Sequence, residues 1–328
     1  MRRRILISDN GNGIPSKQSK AGDLLLYDKA KQKLTIIADA DFNIKTYPIA
    51  KYSPVGVVVV PGTHNVYKDN SCAVISLNEM DCLSPNNGST RRDQIIWGDS
   101  EVDVTKLNNF TDTCYVGVHG TIKNTVQGVN YQAYLPSDIF SVILNPYDTD
   151  TYYVLNDSSY YYHAPSPYNN DDSRNAQYYR TSSPSSTTNT LSDFDGKGNT
   201  SILTNLVTID RDWKTSETLN NVSGNRYPAA CCCWRYCPEG TKQGDWYLPA
   251  MGELGYIMPK FKKINESIKK LVDSYGIGIQ IGTNSRYWSS TERETSYACI
   301  LYTSHGCASY FDKSYSNYIR AFARIKIE

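Results

Sequence analysis

The sequence predicts a multi-domain chain, with a mainly β part at the N-terminus and an α+β part at the C-terminus. Three observations carry that expectation. At 328 residues the chain is long enough for two or three domains of ordinary size. Up to roughly residue 150 the apolar residues come in short, often β-branched runs separated by turn formers, with no long amphipathic helix. Near the C-terminus a helical stretch is followed by strand-like alternation, the helix-then-sheet order of an α+β domain.

The first elements read as a hairpin. Leu24–Tyr27 and Leu34–Ala38 are apolar runs joined by the polar segment Asp28–Lys33. Val57–Val60 is a β-branched run stopped by Pro61 and Gly62, short enough for a buried strand. Ala73–Leu77, Cys114–His119 and Ser141–Leu144 are further strand candidates. Residues 1–148 are therefore expected to form a mainly β attachment or assembly domain. Residues 149–190 are rich in Ser, Asn, Tyr and Pro and poor in aliphatics, so they cannot bury enough apolar area to order themselves alone. They read as a linker or a long surface loop.

From residue 191 the order is clearer. "DFDGKGNT" is a turn-rich entry in which Asp193, Asp195 and Asn199 can bond their own backbone, with Thr200 placed to cap a short helix through Leu206. Phe261, Ile264, Ile268, Leu271, Val272 and Tyr275 follow helical spacing. Lys262, Lys263, Glu266, Lys269 and Lys270 fall mostly on the opposite face. Pro259 suits the first turn and Gly276 the end. In "YIRAFARIKIE", Ile319, Ala321, Ala323, Ile325 and Ile327 alternate with Tyr318, Arg320, Phe322, Arg324 and Lys326, a strand with two distinct faces.

Composition narrows the function. Charged residues make up 20% and the formal net charge is +1, so nothing electrostatic favours nucleic acid or an anionic membrane. The apolar run after Arg2–Arg4 stops at Ile7, shorter than the about 7–15 residues of an export signal, and no window reaches the about 18 of a membrane span. The expectation is a protein made and folded in a cytosol, without membrane insertion. Nine cysteines, an odd and irregularly spaced set, agree with reduced thiols. Tyr, with 27 copies against seven Phe, is the compositional outlier, and it gives a rigid contact surface with a polar tip.

The tract Tyr287–Ile325 concentrates Tyr, Ser, Thr and Asn between strand-like ends. "GDWYLPAMGEL", "YWSST" and "YIRAFARI", in that order, resemble the bacterial Lcl C-terminal and Fibrobacter major-paralogous group of C-type-lectin-like domains. They are also similar to the variable domains of proteins diversified by retroelements. The family pattern falls on Trp246, Leu248, Pro249, Glu253, Leu254, Tyr287, Trp288, Ser289–Thr291, Ile319 and Arg320. Tyr247 stands where the family has Arg. The resemblance implies a lectin-like domain over residues 191–328 in which Trp246, Leu248, Pro249, Glu253, Leu254, Tyr287, Trp288 and Arg320 are scaffold. By alternation and the family pattern, the ligand-binding side chains are expected to be Arg293, Ser296, Tyr297, Cys299, Leu301, His305, Cys307, Ser309, Phe311, Ser314 and Ser316, with Tyr315 and Asn317 also exposed.

Other motifs carry less. Cys231, Cys232, Cys233 and Cys237 crowd together, but no second knuckle supplies the ligands a zinc site needs, so no metal is expected. "DFDGKGNTSILT" has Lys197 and Thr204 where a calcium loop needs oxygen ligands and a bidentate Glu. His64, His119, His163 and His305 lie in different segments, and none is tied to a nucleophile. Cys299 and Cys307 suggest a comparison with formylglycine-generating enzymes of the same fold, but their neighbours are Tyr, Ser and Ala and not cations. Neither an enzyme nor a cofactor is expected. "SPVGVVVVPGTHNVYKDNSCAVISLNEM" resembles segments of phage proteins from gut bacteria. The resulting expectation is a phage head- or tail-fibre protein in the virion. It would bind a host-surface protein or glycan, contact other virion proteins through its N-terminal part, and form a homo-oligomer, a trimer by analogy. The alternatives are a virion decoration without a receptor role and a bacterial surface adhesin.

Overall fold

The computed structural model describes residues 13–64, 67, 69–80, 94–98, 104, 124–126, 129–131, 140–144, 151–155, 161–163, 193–205, 227–257, 260–303 and 307–328. In chain order these form β1 (Leu24–Asp28), β2 (Lys33–Ile37), β3 (Tyr52–Val60), β4 (Cys72–Ser76), β5 (Ile95–Ile96), β6 (Asn124–Val126), β7 (Val129–Tyr131), β8 (Phe140–Leu144), β9 (Thr151–Leu155) and β10 (Tyr161–His163). There follow α1 (Gly196–Asn205), α2 (Pro228–Arg235), β11 (Trp246–Tyr247), α3 (Met251–Gly255) and α4 (Phe261–Tyr275). The chain closes with β12 (Arg286–Glu294), β13 (Tyr297–Tyr302), β14 (Cys307–Asp312), β15 (Ser316–Asn317) and β16 (Phe322–Ile325).

Strand pairing overturns the expected division into an N-terminal β domain and a C-terminal α+β lectin-like domain. One antiparallel six-stranded sheet runs β11-β16-β4-β3-β1-β2, so strands from both ends of the chain share it. Phe322 pairs with Ile75 and Ile325 with Cys72, which puts the last strand inside the sheet built by the first 80 residues. The protein is mainly β, with antiparallel sheets and few helices among the described residues. Alternation along a strand shows which side chains share a face but not which strand lies alongside, and here the partner comes from the far end of the sequence.

Both faces of this sheet are covered. Leu24, Leu26, Val57, Ile75, Tyr247 and Phe322 point into one core, which α4 closes with Ile264, Ile268 and Leu271. Leu25, Val58, Val74, Trp246 and Ala323 point into a second core with Leu203 of α1 and the Cys231–Cys233 run of α2. This is why β3 reads as an unbroken Val run: a strand buried on both sides has no polar face. The predicted alternation of the C-terminal strand holds, with Ile319, Ala321, Ala323, Ile325 and Ile327 in the second core and Phe322 in the first.

The hairpin β1–β2 and the helix α4 lie where the sequence places them. Gly276 takes φ +71° and donates to the Val272 carbonyl at 2.8 Å, ending α4 in a left-handed turn that a Cβ would oppose. Lys263 and Lys270 of α4 reach the Asp39 carboxylate. Pro259 and the strand expected at Cys114–His119 lie outside the described residues.

Three local expectations change. Helix α1 starts at Gly196, not after Thr200, and Asp195 caps it by accepting from the Gly198 N–H at 3.0 Å. Thr200 lies inside the helix and instead accepts from the Leu248 N–H at 3.0 Å, tying α1 to β11. Asp193 and Asp195 do bond nearby backbone, but Asn199 uses its side-chain amide on Asp193 at 2.7 Å and on Ser290 at 3.1 Å. Within 149–190, expected to be linker or loop, β9 and β10 join β8 in a three-stranded antiparallel sheet across the supposed boundary at 148. The rest of that segment lies outside the described residues.

Candidate ligand-binding surface

The site begins with its support. Trp246 and Trp288 are fully buried in the second core, and the Trp288 indole donates to the Ile95 carbonyl at 2.8 Å, fastening β12 to β5. The hydroxyls of Ser289–Thr291 are buried. Ser289 donates to the Cys299 carbonyl at 2.8 Å, while Thr291 donates to Asp193 at 2.7 Å and accepts from the Met251 N–H at 2.8 Å. They occupy a bulged part of β12, where pairing with β13 skips from Trp288 to Glu292. Arg320 is buried and donates to the Ser76, Leu77 and Ile279 carbonyls, joining three segments. These scaffold residues are structural.

Glu253 sits at the centre of this frame. It is buried and accepts from the hydroxyls of Tyr67 and Tyr247, the latter at 2.8 Å, and from the Ala250 N–H at 2.8 Å. Tyr247 therefore supplies a neutral donor to this carboxylate. A Cβ on Gly196 would lie 2.4 Å from a Glu253 oxygen, so the start of α1 needs glycine there. Burial pushes the Glu253 carboxyl up to about 7, against the lowering effect of its three donors, and nearby Asp193 adds to the rise. Burial likewise raises Asp193.

A carboxyl that binds its proton more tightly in the native state adds stability below its ordinary value of 4.5, and that contribution is lost as pH rises through about 7. Unfolding free energy is expected to fall by about 3 kcal/mol across that window, with Asp193 acting in the same direction. Asp39, held low against its burial by Lys263 and Lys270, and Asp69, held low against its burial by the Ser71 hydroxyl and Arg324, titrate below the window. Denaturant titrations of wild type and Glu253→Gln between pH 4.5 and 8 test this, and an equal slope in both would refute it.

On this frame the strands β12, β13 and β14 form a three-stranded antiparallel sheet. Its central strand β13 is buried on both faces, with Ala298 and Ile300 in the second core and Cys299 and Leu301 in the first. Cys299 and Leu301, expected to face a ligand, are both 0% exposed. Alternation separates two faces, but neither is open when the sheet is sandwiched. Asn317 is also buried, because β15 pairs with β5. The C-terminal tract is thus core along β13 and β16 and surface only along its rim.

That rim holds the other predicted residues. Arg293, Ser296, Tyr297 and Phe311 are half-buried, and Ser314, Tyr315 and Ser316 are exposed, Tyr315 at 59%. His305 lies outside the described residues, and Cys307 and Ser309 are placed by their pairing in β14 opposite Tyr302 and Ile300. Two aromatic clusters organise the rim. On one face the Arg293 guanidinium lies 3.4 Å from the Tyr310 ring centroid, and Tyr297 meets Tyr310 edge-on at 5.5 Å. On the other, the Arg286 guanidinium lies 4.6 Å from Phe311 and 5.0 Å from Tyr302, and Tyr315 packs edge-on against Phe311 at 5.1 Å.

Sequence reasoning missed Arg286, Tyr302 and Tyr310. Their signal was present, because Tyr302 and Tyr310 flank the predicted strands and Arg286 precedes the Tyr287-Trp288 anchor. The cross-strand contacts that unite them, however, require the register Arg286↔Tyr302 and Cys299↔Tyr310.

Cys231–Cys233 pack into the second core on α2, while Cys237 is half-buried. Among the described residues no group of three or more His, Cys, Asp or Glu side chains could hold a metal ion. Nor is any described helix long and apolar enough to cross a membrane.

No family model matches the chain, and no curated protein matches it. Among solved structures, a fimbrial protein from Bacteroides ovatus is similar at 15% identity with a TM-score of 0.42. The alignment covers 94% of this chain and 49% of that one, so the chain spans about half the length of the structure it matches.

Proposed function

We propose that the chain is a surface-displayed attachment protein that binds a host-surface protein or glycan through the rim of the β12–β14 sheet. The observation that carries this reading is the pairing of two arginines with five aromatic rings on that rim, beside the exposed Ser314 and Ser316. Arg and Tyr dominate binding hot spots because they offer large contact area and directed donors at low conformational cost. Behind the rim, Trp288, Lys313 and Arg320 are fixed by buried hydrogen bonds, so the surface is organised before a ligand arrives. The resemblance of "GDWYLPAMGEL" and "YWSST" supports kinship with retroelement-diversified variable proteins. The resemblance of residues 53–80 to phage proteins supports a place in a virion.

Binding of labelled full-length protein to candidate host cells tests the reading. A quadruple variant, Tyr310→Ala with Ser314→Ala, Tyr315→Ala and Ser316→Ala, is expected to lose at least about tenfold in affinity, since each anchor truncation costs about 1 kcal/mol or more. Unchanged binding would leave a virion decoration without a receptor role as the account. Labelling of purified particles against cell envelopes separates the virion setting from that of a bacterial adhesin.

A further inference from the structure

Building on the attachment role above, we propose that Arg286 is the recognition centre for a carboxylate carried on a sugar, with Tyr315 as the platform for the sugar ring. A guanidinium keeps its five N–H donors in its own plane, so stacking on rings leaves those donors unspent. Arg286 is half-buried against Tyr302 and Phe311, and among the described residues its side chain makes no ion pair and no hydrogen bond. Held between two rings and still reached by solvent, those donors are free to take a carboxylate in a charge-assisted, two-pronged contact. The Asp312 carboxylate, next to Phe311 on β14, does not engage them. Asp312 accepts from the Ser314 N–H at 2.9 Å and hydroxyl at 2.6 Å, and it alternates to the opposite side of β14 from Phe311.

The surroundings favour a saccharide over a peptide. Tyr315, 59% exposed and braced by Phe311, presents an aromatic ring of the kind on which the C–H face of a pyranose packs. Ser314 and Ser316 flank it with exposed hydroxyls suited to sugar hydroxyls. Among the described large hydrophobic side chains of the rim only Tyr315 is exposed, and a single flat ring suits a sugar face better than a peptide side chain.

The test measures binding of the full chain to three probes by calorimetry: an oligosaccharide ending in glucuronic acid, the same oligosaccharide ending in glucose, and an acidic hexapeptide. The acidic sugar is expected to bind about tenfold or more tightly than its neutral counterpart, the value of a charge-assisted bidentate contact. Arg286→Lys keeps the charge but loses the fork and the stacking, and it is expected to erase most of that preference. Equal binding of the two sugars, an unchanged preference in Arg286→Lys, or tighter binding of the peptide would each overturn the proposal. Because wild type supplies the first comparison, a variant that fails to fold leaves the test intact. If the sugar preference is absent while the quadruple rim variant still loses host-cell binding, the attachment role stands and only the carboxylate assignment falls.

Discussion

A fragment comprising residues 191–328 is expected not to fold on its own. Its last strand, β16, takes four register pairs from β4, and without them only the two-residue β11 remains beside it. Phe322, Ala323 and Ile325 would lose the neighbours that bury them, since β1, β3 and β4 supply much of both cores. Arg320 would lose the Ser76 and Leu77 carbonyls, and Trp288 the Ile95 carbonyl. Two-stranded remnants of this size are marginal in water. The fragment should show no cooperative thermal transition under conditions where the full chain does. A sharp transition with retained near-ultraviolet dichroism would mean that the C-terminal part is an autonomous unit after all. The consequence is practical: the proposed binding surface has to be studied in the whole chain, because its floor is built by the first 80 residues.

Replacing Lys313 with Met is expected to lower the unfolding free energy by about 3–5 kcal/mol, the cost of leaving one member of a buried ion pair uncompensated. Lys313 and Glu292 are each 0% exposed and are ion-paired. Lys313 also donates to the Thr295 carbonyl at 2.6 Å and lies 5.0 Å from the Trp97 ring centroid, while Glu292 accepts from the Val104 N–H at 3.0 Å. The pair therefore clamps the turn between β12 and β13 to the segment around Trp97 and Val104. Removing both charges, as Lys313→Met with Glu292→Leu, should recover most of the loss and leave the double variant within about 2 kcal/mol of wild type. Equilibrium denaturation of the two single variants and the double variant gives the coupling directly. Additive losses would show that the two charges act independently and that the clamp has no energetic content.

Part of the proposed binding rim is legible in the sequence. The excess of Ser and Tyr between Tyr287 and Asn317 marked the tract that holds the proposed rim, and Ser314, Tyr315 and Ser316 lie on its surface. Cys299 and Leu301 failed because a two-faced strand was assumed to have one face in water, whereas β13 is covered on both sides. Arg286 went unnoticed for a different reason. Its significance lies in Tyr302 and Phe311, which only cross-strand pairing brings to it.

By itself the sequence determined the local elements: the hairpin β1–β2, the helix from Phe261 to its Gly276 stop, the two-sided C-terminal strand and the Trp anchors. Each depends on periodicity or on a single residue's backbone preference, and both act over a few positions. Only the tertiary structure decided that the two ends of the chain share one sheet, that Lys313 meets Glu292 in the interior, and that the rim is organised around stacked arginines. Those outcomes depend on which distant surfaces bury one another, a choice made by the summed area and register of the whole core and written in no short stretch of residues.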